Sequence, residues 1–209
     1  GEPTAKEKII LAYGRPAIAR NCFSAIVEAL RAWAQLYPEF RNWTALSAGS
    51  PHAPIALGDG RSLQPLGKLS LEEYGARLRG VGVGLSLMAS PHPSYPPLEM
   101  AHFGALTLTN SYLCKDLSNA HDNITSLPDI DPRTIAPALA QACRAVEADP
   151  TAGWRGRSHI ASYLETGPMP IFDRLVPDLD GLLAVCIQPG MIDSGQRAPP
   201  SMAMGSVTL

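Results

Sequence analysis

The sequence is sparing with charge, with aromatic rings and with long apolar runs. Charged residues make up 17% of the chain against 45% hydrophobic, a balance that requires extensive buried surface. A net charge of −2, with basic residues neither clustered nor interleaved with aromatics, excludes a nucleic-acid or acidic-membrane surface as the main task of the fold. No segment is apolar over the ~20 residues that a membrane-spanning helix needs, and no signal peptide is legible. Cys22, Cys114, Cys143 and Cys186 lie far apart without a CxxC pair, so free thiols are expected rather than disulfides or zinc ligands, which favours a reducing compartment. The histidines are scattered and no HExxH is present, so no metal site is expected. There is no GxSxG elbow and no Walker loop. Gly82 and Gly84 begin a GxGxxG-like pattern, but its last glycine is missing and both lie inside a strand-like run, which excludes a dinucleotide fingerprint.

What the chain does have is an alternation of short apolar runs with amphipathic segments, the pattern of an α/β fold. The stretch from Val81 to Asn110 organises the rest. Val81 to Met88 reads as a buried strand, Ala89 to Tyr95 as a polar, proline-broken loop, and Pro96-Pro97 as the first turn of a helix, where a missing N–H costs nothing. Glu99 falls in that turn, Gly104 is placed to end the helix, and Ala105 to Thr109 reads as the next buried strand. The crossover of such a βαβ unit is right-handed. Ligands of open α/β sheets gather at the carboxyl ends of the strands, where a helix N-terminus attracts phosphate. A carboxylate one turn into that helix, Glu99, suits the diol of a ribose; it would equally stabilise the helix through its dipole.

Taken from the start, Lys8 to Tyr13 reads as a buried strand, turned by Gly14-Arg15-Pro16 into a long helix that ends near Tyr37 before Pro38. Phe23, Ile26, Val27, Leu30, Trp33 and Ala34 recur at helical spacing and form its core stripe. Arg15 and Arg20 stand near the helix entrance. Asn42 to Ala48 is the second strand, and Ile55 to Leu57 a short strand of its own within a turn-rich connection. Gly58-Asp59-Gly60 is read as a turn rather than a phosphate cradle. Leu63 to Leu66 reads as a connection to Ser70, an N-cap that forms a capping box with Glu73 on a helix from Leu71 to Leu78 burying Leu71, Tyr74 and Leu78. Ile124 to Leu127 is another strand. Asp131-Pro132 opens a helix to Ala148 with Ile135, Leu139, Ala142, Cys143 and Val146 inward; Asp129 and Asp131 mimic a metal-binding DxD, but capping is the better account.

Residues 8–148 are thus expected to form one doubly wound, mainly parallel, Rossmann-like sheet with helices on both faces. Residues 149–209, richer in proline and glycine, are expected to be a C-terminal extension: helices from Arg157 to Leu164 and Ile171 to Leu175, a strand or helix at Leu182 to Ile187, an unsupported Asp178/Asp180 pair, and a low-order tail from Met191. The chain opens on Gly1 rather than methionine, as a piece of a larger protein would.

The run SPHPSYPPLEMAHFGALTLTN at 90–110 resembles the signature of family-4 retaining glycosyltransferases of the two-domain GT-B type, and is most similar to bacterial rhamnosyltransferase-like members. In that family a glutamate, a loop and an LPxLE segment precede a strand. Pro96, Leu98 and Glu99 match the second part, Gly104 matches the glycine before the strand, and Pro91 stands where the first glutamate of the pair is expected. Ser90 and His92 are the candidates to stand in for it. The resemblance extends from Lys8 to Glu147 and implies one half of a GT-B fold, the half that holds the nucleotide. It implies a nucleoside-diphosphate-sugar as donor substrate, with a sugar such as rhamnose, a glycan acceptor, and neither a further cofactor nor a metal. Catalysis would need an N-terminal half absent from this chain, so the chain alone is expected to transfer little sugar. A cytoplasmic location, at most peripheral at the inner membrane face of a bacterium, is implied as well.

The same resemblance assigns the site. Gly14 and Arg15, with Arg20 as second choice, would meet the donor diphosphate; Gly67, Lys68 and Leu69 would lie on the side of the base; Ser94, Tyr95, Pro96 and Glu99 would complete the pocket, Arg15 and Glu99 being the catalytic pair. Plainer readings stand beside these: surface charges at a helix entrance for Arg15 and Arg20, and an ordinary strand-to-helix connection for Lys68. A non-catalytic α/β binding or scaffold module is the second reading of the whole, favoured by Pro91 and the short chain.

Overall fold

The run Ile9 to Ala12 is apolar without alternation because both faces of its strand are covered: Ile10 and Ala12 enter one core and Ile9 and Leu11 the other. A computed structural model describes residues 4–160. In it that run is the middle of β1 (Glu7–Gly14), which pairs in parallel with β2 (Thr44–Gly49) on one side and β5 (Val81–Leu85) on the other. A two-residue strand, β3 (Ile55–Ala56), runs antiparallel to β4 (Ser62–Gly67), which pairs with β2. Beyond β5 lie β6 (Leu106–Asn110) and β7 (Ile124–Leu127), again parallel. The order β3-β4-β2-β1-β5-β6-β7 is a doubly wound sheet whose direction of winding reverses at β1.

Helices cover both faces, as the alternation predicted. On one, α1 (Phe23–Leu36) and α4 (Pro132–Ala148) meet over a core that contains Trp33, Leu30, Leu139 and Cys143, each fully buried. On the other, α2 (Leu71–Gly80) and α3 (Pro96–His102) contribute Leu78 and Met100. Each such leucine or isoleucine taken out of water stabilises the fold by roughly 1.5–3 kcal/mol. Gly84 is small because α3 lies directly on β5: a Cβ there would sit 2.7 Å from the Met100 sulfur. Gly104 closes α3 with φ +79, the left-handed conformation that glycine adopts without strain.

The local signals hold where hydrogen bonds are short-range. Ser70 Oγ accepts the Glu73 N–H at 3.1 Å while Glu73 accepts the Ser70 N–H at 2.8 Å, a complete capping box. Asp131 caps α4 through the Arg133 N–H at 2.8 Å, so the DxD-like pair is helix-entrance chemistry. Asp59 accepts the Arg61 N–H at 3.1 Å and pairs with its guanidinium, which makes Gly58 to Gly60 a turn.

Three expectations change. Leu71 is 85% exposed rather than buried, since it occupies the first position of α2, at the rim of the sheet. Ser62 to Gly67, read as a connection, is β4; Pro65 obscured it, and is tolerated because β3 pairs only with Ser62 and Leu63 and the register to β2 shifts after Ser47, opposite Pro65. No helix begins at Arg157: Ala152–Arg155 is a 3-10 turn, and Ser158 bridges to His121 in extended form. The remainder of that expected helix lies outside the described residues, as do the expected elements at 171–175 and 182–187, the Asp178/Asp180 pair, Cys186 and the tail from Met191. Cys22, Cys114 and Cys143 are free thiols.

Residues 149–160 are tied back to the start of the chain. Lys6 N–H donates to Pro150 O at 2.9 Å, and the Trp154 indole N–H to Thr4 O at 2.7 Å. The Lys6 ammonium, only 6% exposed, donates to Leu78 O at 3.1 Å, to Arg79 O at 2.9 Å and to Phe103 O, and lies 4.0 Å from the centre of the Trp154 ring. It thereby satisfies carbonyls at the ends of α2 and α3, the negative poles of both helices. Burial nevertheless lowers its pKa from 10.5 to about 8. The unfolded chain then holds this proton more tightly than the folded one, so the wild type should gain stability as pH rises from about 8 to 10.5. Lys6→Met is expected to lose roughly 1.5–3 kcal/mol at neutral pH, from unpaired carbonyls, and to lack that alkaline rise. Urea unfolding across the window checks both, and parallel pH curves for the two proteins would acquit Lys6.

Candidate functional site

Where the winding reverses, the loops that follow β1 and β5 leave in opposite directions, and the carboxyl ends of the two strands open into a crevice. A cavity of about 370 Å³ occupies it, lined from the β1 loop by Tyr13, Arg15, Arg20 and Asn21 and from the β5 loop by Met88, Ser90, His92, Ser94, Tyr95 and Pro96. A second cavity of about 440 Å³ lies beside it over the ends of β1, β2 and β4, with Lys68, Leu69, Leu71 and Tyr74 in its wall. Tyr13 and Arg15 belong to both walls, so one cationic side chain stands at the junction. Among the described residues, Arg15, Arg20 and Lys68 take part in no ion pair.

The structure therefore brings together Arg15, Arg20, Ser94, Tyr95 and Pro96 in one cavity, and Arg15, Lys68 and Leu69 in the other. Gly14, Gly67 and Glu99 line neither. Gly14 is a packing residue: a side chain there would run into the Phe23 ring and Ser47 Oγ. Gly67 turns the chain out of β4 with φ +70 and nothing within 4 Å of its missing Cβ. Glu99, although open to solvent, carries a carboxyl whose pKa is raised by partial desolvation. It lies close enough to Tyr74 for its charge to push that phenol's pKa further up, after burial, with Tyr13 adding to the effect. The Tyr74 hydroxyl is buried without a hydrogen-bond partner among the described residues.

The end of α3 is a weaker phosphate cradle than its position suggested. The helix has seven residues, Pro96 and Pro97 bring no N–H, and the Glu99 N–H is taken by Tyr95 O at 2.9 Å. Positive charge in the crevice comes from side chains instead.

The β5 loop is held by residues that no motif signalled. Asn110, at the end of β6, accepts the Met88 N–H at 2.8 Å and returns a 3.3 Å bond to Met88 O. Lys115, 3% exposed, donates to Met88 O at 2.9 Å and to Asn110 Oδ1 at 3.3 Å, and burial lowers its pKa. Ala89 N–H reaches across to Arg20 O at 2.8 Å and joins the two loops. Within the loop, Ser90 Oγ accepts the His92 N–H at 3.2 Å, His92 Nδ1 accepts the Ser94 N–H at 3.1 Å, and buried Ser94 is left-handed at φ 69. That backbone is costly for a residue with a side chain, by roughly 1–3 kcal/mol, and such costs gather at functional sites.

Asn21 went unnoticed in the sequence because a lone asparagine before a helix reads as ordinary. It is 3% exposed, lines the first cavity, and its Oδ1 finds no partner among the described residues. A buried unpaired carbonyl costs about 1–3 kcal/mol, which a ligand hydroxyl or amide at that wall would offset. Asn21→Leu is accordingly expected to stabilise the free chain by roughly 1 kcal/mol in urea unfolding while weakening whatever the cavity holds. A destabilised free variant would show that the amide serves the fold.

Comparison with known proteins places this geometry. The O-antigen biosynthesis protein RfbC of Myxococcus xanthus is 41% identical over 99 residues, which are 47% of this chain and 8% of that protein. In solved structures, the α,α-trehalose-phosphate synthase (UDP-forming) of Burkholderia xenovorans superposes with a TM-score of 0.57 at 18% identity, over 84% of this chain and 44% of the other. The C-terminal domain of a glycosyl transferase group 1 family protein (LpcC) from Francisella tularensis does so with 0.51 at 14% identity, over 72% of this chain and 84% of the other. At these identities the likeness is one of fold, that of a Rossmann-like half of a GT-B protein. The chain spans less than half the length of RfbC and of the synthase. The family described as "WsaF, C-terminal domain" matches residues 8–140, well over half of the sequence, and the chain belongs to that family.

Proposed function

We propose that this chain is the donor-binding domain of a glycosyltransferase, holding a nucleoside-diphosphate-sugar in the crevice between the β1 and β5 loops. The observation that carries the reading is the junction of the two cavities, where Arg15, in no ion pair among the described residues, stands between a wall with Arg20 and a wall with Lys68. A diphosphate against Arg15 and Arg20 would have its base over Lys68 and Leu69 and its sugar toward Ser94 to Pro96. Two guanidiniums beside a leaving diphosphate stabilise charge that develops as the glycosidic bond to the donor breaks. Glu99 is the proposed partner of the ribose diol, and rhamnose, in the manner of family-4 retaining enzymes, is the proposed sugar. Transfer to a glycan acceptor, of the O-antigen class to which RfbC's name refers, would require a second, acceptor-holding half. No helix among the described residues is long and apolar enough to cross a membrane. Action in the cytoplasm, at most peripheral to the inner membrane face, is part of the same proposal.

Calorimetric titration with UDP, GDP, ADP and dTDP tests it. The expected result is that at least one binds, and that Arg15→Gln weakens that binding by roughly 1.5–3 kcal/mol, the scale of a hydrogen bond to a charged group. Glu99→Gln is expected to cost a similar amount. The carboxylate, not the acid, accepts from a diol, so wild-type affinity should fall as pH drops through a Glu99 pKa raised above its ordinary value, and the Gln variant should be flat there. Affinity unchanged in Glu99→Gln at every pH would remove Glu99 from the site. Failure of all four nucleotides to bind would favour the scaffold reading.

A further inference from the structure

We propose that His92 is a ligand-contacting residue of the crevice, donating from Nε2–H to an anionic phosphate oxygen while its Nδ1 serves the loop. This rests on the donor-binding reading above and adds to it a residue and a protonation pattern. The loop settles the tautomer: Nδ1 accepts the Ser94 N–H at 3.1 Å, which requires a lone pair there and leaves the proton of the neutral ring on Nε2. The backbone N–H of His92 is held in turn by Ser90 Oγ at 3.2 Å, and Ser94 is buried at φ 69, so the ring is fastened from both sides along the chain. Tyr95 packs edge-to-face against it with centroids 6.1 Å apart. Among the described residues Nε2 has no hydrogen-bond partner, and His92 lines the cavity shared with Arg15 and Arg20.

The chemistry of that wall points to an anion. Among the described residues no carboxylate lines the cavity, and its ionisable side chains besides Tyr13 and Tyr95 are the two guanidiniums and this imidazole. A neutral N–H donor placed among two cations adds a hydrogen bond to phosphate without adding like-charge repulsion.

The plain alternative is that His92 is a loop staple through Nδ1 alone. Two substitutions separate the nitrogens. His92→Asn keeps an amide oxygen near the place of Nδ1 and has nothing at Nε2; His92→Gln reaches the place of Nε2 with an N–H donor and gives up the Nδ1 acceptor. Calorimetry with UDP, GDP, ADP and dTDP, alongside thermal unfolding of each protein without ligand, is the experiment. With a contact worth about 1.4 kcal/mol, His92→Asn should unfold with the wild type yet bind the accepted diphosphate about tenfold more weakly. His92→Gln should unfold at lower temperature yet bind more tightly than His92→Asn. A staple predicts the reverse order of affinities. His92→Asn binding as tightly as wild type, or His92→Gln binding no better than His92→Asn, overturns the inference and leaves the donor-binding reading intact. A wild type that binds none of the four diphosphates overturns both.

Discussion

The constraint on which everything else depends is that β1 is covered on both faces and paired on both edges. Ile10 and Ala12 on one side and Ile9 and Leu11 on the other are all buried, so helices must flank the sheet twice. Parallel pairing to β2 and to β5 then forces the chain to wind outward in both directions from β1. The crevice is the by-product of that reversal. No side chain had to carve it, and its walls are simply the two loops that depart from each other.

Two buried ammonium groups keep the ends of this sheet in order. Lys6, just before β1, gathers carbonyls from the last turns of α2 and α3, while Lys115, at the opposite end, gathers Met88 O and Asn110 Oδ1 under the β5 loop. An amine taken out of water is costly unless its protons are bonded, and here carbonyls supply the bonds, with no paired carboxylate among the described residues. Each lysine thus links segments far apart in sequence, and Lys115 couples the crevice wall to β6.

The crevice departs from local rules at two positions, the buried amide of Asn21 and the backbone of Ser94. Arg15, Arg20 and Lys68 are exposed or half-exposed cations that take part in no ion pair among the described residues. Ser94 is a buried non-glycine residue in a left-handed conformation, within the loop that presents His92, Tyr95 and Pro96. Glu99, in contrast, lines neither cavity and reaches the second only through its charge on Tyr74, which does line it.

The sequence by itself determined the parts whose physics is local. The central strand and α3, with Pro96-Pro97 at its start and Gly104 at its end, follow from periodicity and backbone stereochemistry within a few residues. So do the capping box of Ser70 and Glu73 and the cap of Asp131. Arg15, Arg20 and the loop Ser94 to Pro96 could be placed at one rim because a parallel α/β sheet collects its loops there. Only the tertiary structure decided the rest. β4 is a strand because β2 pairs with it, against the signal of Pro65, and Leu71 is exposed because its helix starts at the rim. Gly14 is small because of Phe23, from the next helix. Asn21, Asn110 and Lys115 gain their meaning from partners, or from the lack of them among the described residues, that no spacing rule predicts. Hydrogen-bond satisfaction in a buried place is a property of the whole packed neighbourhood, and it exists only once the chain has folded.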